Sequence, residues 1–174
     1  MRGFTLLEML IVLLIISITV TFVSPMWQQT NTQTILNKEQ QKLYLFLRYI
    51  QTRVENSNDI WFLIPNRDLN KKTWCITAQI KSDKLCDCLL PQTCSKDVNA
   101  HFYYPYFPEK TMLISKSYFP KEITRLSGIR NTASTVCFIL EAEKSRTLFS
   151  FFNVGSLKLK DYQSLSACVN DEED

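Results

Sequence analysis

Six cysteines have the clearest capacity for chemistry in this 174-residue chain, because thiols can form disulfides or bind a metal ion. They are Cys75, Cys86, Cys88, Cys94, Cys137 and Cys168. An even set beyond a hydrophobic segment is typical of disulfides formed in an oxidising compartment. The first four have the spacing C-x10-C-x-C-x5-C, which lacks the C-x2-C pair that structural zinc sites typically use. The sequence therefore predicts disulfides rather than a metal centre, and it leaves their pairing open.

The single histidine, His101, stands before the aromatic run Phe102–Phe107. No serine nucleophile motif lies near it, which favours a structural histidine over a Ser-His-Asp or Cys-His catalytic site. Successive aromatic rings can stack on the bases of a nucleic acid. No lysine or arginine interleaves with this run in the sequence, so packing in the core or in a loop is the favoured interpretation.

Two further features bear on enzymatic function. Glu141 and Glu143 alternate, which on a strand would place both carboxylates on one face, as paired catalytic acids require. Lys144 and Arg146 lie beside them and favour a solvated charged surface instead. The chain has only three glycines, which excludes a glycine-rich phosphate-binding loop. The sequence predicts that the protein is not an enzyme and uses neither a cofactor nor a metal.

One carboxylate, Glu8, is the only formal charge in a largely apolar run from Phe4 to Val23. As a helix this run is about 30 Å long, the thickness of the hydrocarbon core of a bilayer. Such a helix hides the hydroxyls of its small polar residues by bonding them back to its own carbonyls; these are Thr5, Ser17, Thr19 and Thr21. A charge inside such a segment costs roughly 2.5–3.5 kcal/mol. A signal peptide would have a shorter apolar core and a small-residue cleavage site, whereas this run continues into TVTFVSPMW.

The string GFTLLEMLIVL, which starts at Gly3, resembles the N-terminal signature of type IV pilins and type II secretion pseudopilins. This resemblance implies that a prepilin peptidase cleaves between Gly3 and Phe4, removes the leader of residues 1–3, and methylates the new N-terminus. It also implies that Glu8 pairs with the N-terminal amine of a neighbouring subunit, because a buried charge becomes tolerable once it is paired. Pro25 lies where many members of this family have a helix-kinking proline.

A long N-terminal helix must position these residues. Its transmembrane or assembly half is predicted for residues 4–25, and its amphipathic half for residues 26–56. The amphipathic half has one apolar stripe, made of Leu36, Leu43, Leu47, Ile50 and Val54. Its charged residues are expected on the other faces of the helix; they are Lys38, Glu39, Lys42, Arg48 and Arg53. The polar cluster at residues 55–59 ends the pattern.

Residues 57–170 are predicted to form a β-rich head, followed by an acidic tail at residues 171–174. Short runs typical of strands are separated by turn residues and cover Ile60–Ile64, Thr73–Ile80, Phe102–Phe107, Met112–Phe119, Thr135–Leu140, Leu148–Val154 and Leu157–Tyr162. The cysteine-rich segment 81–99 has no clear period and is expected to be a cross-linked loop. A C-terminal strand is commonly stapled back onto its sheet, so Cys137–Cys168 is expected as one disulfide. The predicted fold class is α+β, with the long helix packed on an antiparallel β-sheet head as in pilins.

The later part of the chain resembles the H-type pseudopilins and the FimT/FimU-like minor pilins. Some of these relatives have a C-terminal Gly-Arg-x-Arg element that is associated with DNA binding. The corresponding stretch here is GSLKLK at residues 155–160, in which serine and lysine stand in place of the two arginines. Lys158 and Lys160 are the candidate DNA contacts, although lysine lacks the bidentate fork of arginine. Between residues 9 and 170, 19 lysines and arginines outnumber 12 aspartates and glutamates, which permits an anionic partner without requiring one.

These resemblances imply a minor type IV pilin that primes or joins the assembly of a pilus serving DNA uptake, adhesion or twitching. The alternative is a minor pseudopilin of a type II protein secretion system. The expected partners are other major and minor pilin subunits, the prepilin peptidase, the inner-membrane assembly platform, membrane lipid before assembly, and DNA at the basic strand. The expected location is the inner membrane of a Gram-negative bacterium, crossed once with the head in the periplasm, and afterwards the pilus or pseudopilus.

The first prediction concerns processing. Because the resemblance implies cleavage directly before the apolar run, the mature chain is expected to begin at a methylated Phe4. Mass spectrometry of the N-terminal peptide of the exported protein measures both the cleavage site and the added methyl group. A chain that begins at Met1, or one that is cleaved near Ser24, would contradict the prepilin interpretation.

Overall fold

The computed structural model describes residues 6–161, without the side chains of residues 20–30 and 161. These residues contain one long helix, α1 (Leu6–Glu55), a short 3-10 helix (Pro91–Thr93) and nine strands. The strands are β1 (Ile60–Asp68), β2 (Thr73–Ile80), β3 (Ala100–Tyr103), β4 (Met112–Ile114), β5 (Thr124–Ser127), β6 (Thr132–Ala133), β7 (Val136–Ala142), β8 (Ser145–Phe151) and β9 (Leu157–Asp161). The predicted α+β class, with the helix packed on antiparallel sheets, is confirmed.

Helix α1 continues without interruption from the apolar N-terminal run into the head. All five leucine, isoleucine and valine residues of the predicted stripe are buried. The helix ends where the polar cluster begins, because Asn56 and Ser57 donate their backbone N–H groups to Thr52 and Val54. The Asn56 side chain also donates to the Thr52 carbonyl, at 2.7 Å. Pro25 lies within this helix, and the bend predicted there stays a prediction.

The head contains two antiparallel sheets where a single sheet was expected. The first sheet has the strand order β3-β2-β1-β5-β6, and the second has the order β4-β7-β8-β9. The extra strands β5 and β6 were not predicted, since they are only four and two residues long. Strand β5 pairs with β1, with Trp61 opposite Leu126, and β6 pairs in turn with β5. Gly128, which follows β5, packs so closely on the end of α1 that a Cβ atom would lie 1.9 Å from the Ser57 carbonyl oxygen.

Several strand boundaries differ from the prediction. Strand β3 ends at Tyr103 and not at Phe107, because Pro105 has no N–H group to continue a ladder. Strand β4 contains only three of the eight residues predicted for it. The prediction that Glu141 and Glu143 share a strand face was wrong. Strand β7 ends at Ala142, and Glu143 has a positive φ of 52° at the turn into β8.

The hydrophobic core lies between α1 and the two sheets. The apolar stripe of α1 packs with side chains of the first sheet, including Trp61, Leu63 and Trp74. It also packs with the second sheet, where Phe138 and Phe149 stack with their ring centroids 5.2 Å apart. One helix face therefore packs against both sheets, which are also joined directly where Ala133 of β6 donates its N–H to the Asn153 carbonyl after β8.

Two disulfides cross-link the segment 81–99, which the sequence predicted to be a loop. One joins Cys75 of β2 to Cys88, and the other joins Cys86 to Cys94. Cys137 is also disulfide-bonded. Cys168 lies outside the described residues, as do the predicted leader at residues 1–3 and the acidic tail at 171–174. The expected Cys137–Cys168 pair therefore stays a prediction.

The second prediction tests the helix–sheet core. Leu47 is 1% exposed, so Leu47→Ala should lower the free energy of unfolding by about 2–5 kcal/mol through lost burial and a residual cavity. Leu45, two residues earlier, is 67% exposed, and Leu45→Ala should change the same quantity by less than about 0.5 kcal/mol. Urea unfolding of the full chain in detergent, followed by tryptophan fluorescence, compares the two variants. Equal destabilisation of both would show that the stripe does not form the core.

Candidate functional site

The N-terminal part of α1 is an exposed apolar shaft. From Leu6 to Thr19 every residue is exposed, and most are large and hydrophobic. As predicted, the hydroxyls of Ser17 and Thr19 donate to carbonyls one turn earlier in the helix, at 2.9 to 3.1 Å. Glu8 is the only charged residue of this shaft and lies in the first described turn. The shaft is therefore a surface that needs an apolar environment or apolar partners.

No helix within the described part of the chain is both long enough and apolar enough to cross a membrane. The predicted span of residues 4–25 lies partly outside that part, since residues 4 and 5 and the side chains of residues 20–25 are not described. Gly3 and Phe4, between which cleavage is predicted, also lie outside it.

A buried carboxylate fixes the head to the helix. Glu39 has no exposed surface, although the sequence placed it on an outer face of α1. One carboxylate oxygen accepts a hydrogen bond from the Tyr103 hydroxyl. The other accepts from the backbone N–H groups of Tyr106 and Phe107, at 2.8 and 3.2 Å. A buried charge is tolerated when such donors surround it, so Glu39 attaches α1 to the loop after β3.

Lys42 supplies a second attachment to the same loop. Its ammonium donates to the Tyr104 carbonyl at 2.5 Å and lies 3.6 Å from the centroid of the Tyr106 ring. Burial lowers the pKa of Lys42, and the nearby charge of Glu39 acts against that shift. Thus a cation does meet the aromatic run Phe102–Phe107, although it comes from the helix and not from the run itself.

Tyr103 and Tyr104 hold their protons more strongly than ordinary tyrosines. Burial, the hydrogen bond to Glu39 and its negative charge together raise the pKa of Tyr103 well above its ordinary value. Tyr104 donates its hydroxyl to the Cys88 carbonyl at 2.9 Å, which links the loop to the disulfide-bonded segment. Burial and the charge of Asp87 raise the pKa of Tyr104 as well.

The candidate DNA contacts lie on the second sheet, whose strand order is β4-β7-β8-β9. Lys158 and Lys160 are on strand β9, two residues apart and on the same face, with their Nζ atoms 5.5 and 5.8 Å from the Phe152 ring centroid. The turn before β9 is tied to the helix because the Gln51 side chain donates to the Gly155 carbonyl. Gly155 has a positive φ of 71°, which favours glycine at this position. The two lysines thus form a small basic patch beside one aromatic ring.

The residues considered for catalysis do not come together. His101 lies between the rings of Trp61 and Tyr49, with centroids 5.8 and 5.6 Å away. Burial, and secondarily the charge of Arg53, lowers the pKa of His101. Glu141 of β7 accepts from the Arg146 side chain at 2.5 Å. Glu143, in the next turn, accepts instead from Thr32 of the helix at 2.9 Å.

Sequence reasoning missed Glu39, although a signal was present. Glu39 is three residues after Leu36 and four before Leu43, so it lies on the apolar stripe of α1. A carboxylate at that position has to be buried, and it needs donors from another element. The three donors are 64 to 68 residues away along the chain, which is why the sequence does not identify them.

Comparison with known proteins addresses the N-terminal motif directly. The family model described as the prokaryotic N-terminal methylation motif matches residues 1–24. This motif indicates a prepilin signal of the type IV pilin and pseudopilin type at the start of the chain. An uncharacterised protein of Haemophilus influenzae (strain ATCC 51907 / DSM 11121 / KW20 / Rd) is 59% identical to this chain over 167 residues, which cover 96% of the chain and 98% of that relative. No solved structure matches this chain.

The third prediction concerns Tyr103 and pH. Its pKa is raised in the folded pilin-type head, so above about pH 10 the unfolded chain releases this proton while the folded chain keeps it. The stabilising contribution is complete below that pH and is lost as the pH rises, at about 1.4 kcal/mol per pH unit. Urea unfolding between pH 9 and 11, on the order of one unit either side of the ordinary tyrosine pKa, measures the slope of the free energy of unfolding against pH. Tyr103→Phe should flatten it, and an unchanged slope would contradict the buried contact with Glu39.

Proposed function

We propose that this protein is a minor type IV pilin that primes or joins the assembly of a pilus. The observation that supports the proposal most strongly is the position of the methylation motif, at the start of a helix that runs unbroken from an exposed apolar shaft into the head. A helix with this distribution can lie in lipid before assembly and against other subunits afterwards. Pilus functions that such a subunit serves include DNA uptake, adhesion and twitching.

Glu8 is the residue that we expect to guide assembly. Its carboxylate is the only formal charge of the described shaft, and it costs roughly 2.5–3.5 kcal/mol in a bilayer. Prepilin cleavage after Gly3 would create an N-terminal amine on methylated Phe4. We propose that Glu8 of one subunit binds this amine of its neighbour, since paired charges are tolerated in an apolar environment where a single charge is not.

The head would then lie in the periplasm, with the shaft anchored once in the inner membrane until the subunit joins the filament. Disulfides at Cys75–Cys88 and Cys86–Cys94 fit such an oxidising compartment. The prepilin peptidase and the inner-membrane assembly platform would act on the shaft, whereas other pilin subunits would contact both the shaft and the head.

The fourth prediction tests Glu8. Glu8→Leu should leave cleavage, methylation and membrane residence normal, because the change makes the shaft more apolar. Recovery of the variant in sheared filaments, or in cross-linked complexes of minor subunits, should fall by at least about tenfold, since an unpaired buried partner costs about 3–5 kcal/mol. Met9→Leu, which changes an apolar neighbour without altering charge, is the matched control and should be incorporated normally.

The outcomes separate the proposal from its alternatives. Normal incorporation of Glu8→Leu would show that the carboxylate does not select the assembly contact. A minor pseudopilin would show the same loss from its own filament, so deletion of the gene distinguishes the two classes. Loss of piliation or DNA uptake supports the pilin, whereas loss of exoprotein secretion with intact pili supports the pseudopilin.

A further inference from the structure

The outer side of α1 beside the loop after β3 presents cations and aromatic rings together. We call this surface the cationic–aromatic face; it consists of Lys38, Lys42, Leu45, Tyr49 and Arg53 of α1, and Tyr106 of the loop. Spacings of four, three, four and four residues place the helical members on one side of the helix. Tyr106 is 65% exposed and Tyr49 is 47% exposed, so both rings are accessible.

Each of the two exposed rings has a cation beside it. The Lys42 ammonium lies 3.6 Å from the centroid of the Tyr106 ring. The Arg53 guanidinium donates to the Tyr49 hydroxyl at 2.6 Å, and its central carbon is 5.5 Å from the centroid of that ring. Lys38 is exposed one turn before Lys42. Positive charge and flat apolar surface therefore alternate along the face.

The helix presents no negative charge on this face. Between residues 31 and 53, α1 has four lysines and arginines and one carboxylate, Glu39. Glu39 is buried and bound to the head. The loop itself carries one exposed carboxylate, Glu109, and the charge that acts on Tyr104 is that of Asp87. Its carboxylate already accepts from the side chain of Asn66 and the backbone of Leu89, at 2.7 and 2.8 Å. The charge of the face is thus complementary to a polyanion.

The face is also fixed in place before any partner arrives. Glu39 holds the backbone N–H of Tyr106, and Lys42 holds the carbonyl of Tyr104. An aromatic side chain on a fixed backbone loses little conformational freedom when it binds, so the entropic cost of association is small.

We propose that the cationic–aromatic face binds single-stranded nucleic acid, with bases stacked on Tyr49 and Tyr106 and phosphates bound by Lys38 and Arg53. Exposed rings interleaved with cations are the combination that single-strand binding surfaces use. An acidic polypeptide would use the cations but would leave the rings without partners. The proposal rests on the proposed function, because a filament subunit outside the inner membrane is where external DNA would be met.

The cationic–aromatic face also suits this role better than strand β9. At β9, Lys158 and Lys160 share one half-buried ring, Phe152. The helix face has two exposed rings, and one of its cations is an arginine, whose planar guanidinium can bind a phosphate through two hydrogen bonds. Both surfaces lose two positive charges when two residues are changed, which provides a matched comparison.

The fifth prediction compares these surfaces by fluorescence anisotropy, with the full chain in detergent and a labelled oligothymidylate of about 20 nucleotides. Lys38→Gln with Arg53→Gln should weaken binding at least about tenfold at 0.1 M salt and reduce the slope of log K against log salt by about 1.4. Tyr49→Ala and Tyr106→Ala should each weaken it about fivefold or more, whereas Tyr49→Phe should retain binding. Lys158→Gln with Lys160→Gln should leave it within about twofold.

Several results would overturn the proposal. One is the absence of detectable oligothymidylate binding by the unmodified chain. A second is that Lys158→Gln with Lys160→Gln weakens binding as much as, or more than, Lys38→Gln with Arg53→Gln. A third is that duplex DNA binds as tightly as oligothymidylate and that the tyrosine substitutions do not weaken duplex binding. Equal affinity for a polyglutamate peptide would assign the face to an acidic protein partner. Unchanged melting temperature and prepilin cleavage show that the variants are folded and processed. If cleavage fails in the unmodified chain, the proposed function fails independently of the oligonucleotide result.

Discussion

The hydrogen-bonded burial of the Glu39 carboxylate is the constraint on which the arrangement of helix and head depends. Glu39 lies within the apolar stripe of α1, so the helix can pack on the sheets only if another element provides hydrogen-bond donors for its carboxylate. The Tyr103 hydroxyl and two backbone N–H groups of the following loop meet this requirement. The apolar stripe already selects which face of α1 packs on the sheets. Glu39 reinforces that rotation, because turning its carboxylate away from these donors would leave it buried without partners.

The fixed rotation separates two surfaces of one helix. Toward the head, the stripe contacts both sheets and joins them in one core. Away from the head, α1 presents Arg53 against its own Tyr49 and Lys42 against Tyr106 of the loop. Within residues 31–53 the helix has no exposed carboxylate beside them. N-terminal to both surfaces, the side chains of residues 6–19 are exposed on all sides. A single element therefore provides the core contact, a charged outer face and the apolar shaft.

Much of this arrangement follows from local patterns in the sequence. The stripe of α1 was predictable because an α-helix completes a turn every ~3.6 residues. Strand β2 was predicted with its observed boundaries because its apolar residues lie between turn residues. Strands β5 and β6 were missed because they are short and depend on pairing with neighbours, β5 with β1 and β6 with β5, rather than on their own composition. The cation beside the aromatic run was missed for a related reason: Lys42 and Tyr104 are 62 residues apart. Contacts of this kind depend on tertiary structure, which one-dimensional periods do not contain.

The continuity of α1 has a geometric consequence for any assembly that holds the shaft. Glu8 and Glu39 lie on one uninterrupted helix, 31 residues apart, which corresponds to about 47 Å along a straight axis. The number of residues between them sets both their axial separation and their relative orientation. Each residue of an α-helix adds about 1.5 Å along the axis and about 100° of rotation around it. A single inserted residue between them would hardly lengthen the subunit, yet it would turn every surface of the head through more than a quarter of a circle relative to the shaft. The spacing between the two carboxylates therefore specifies which side of the head faces outward.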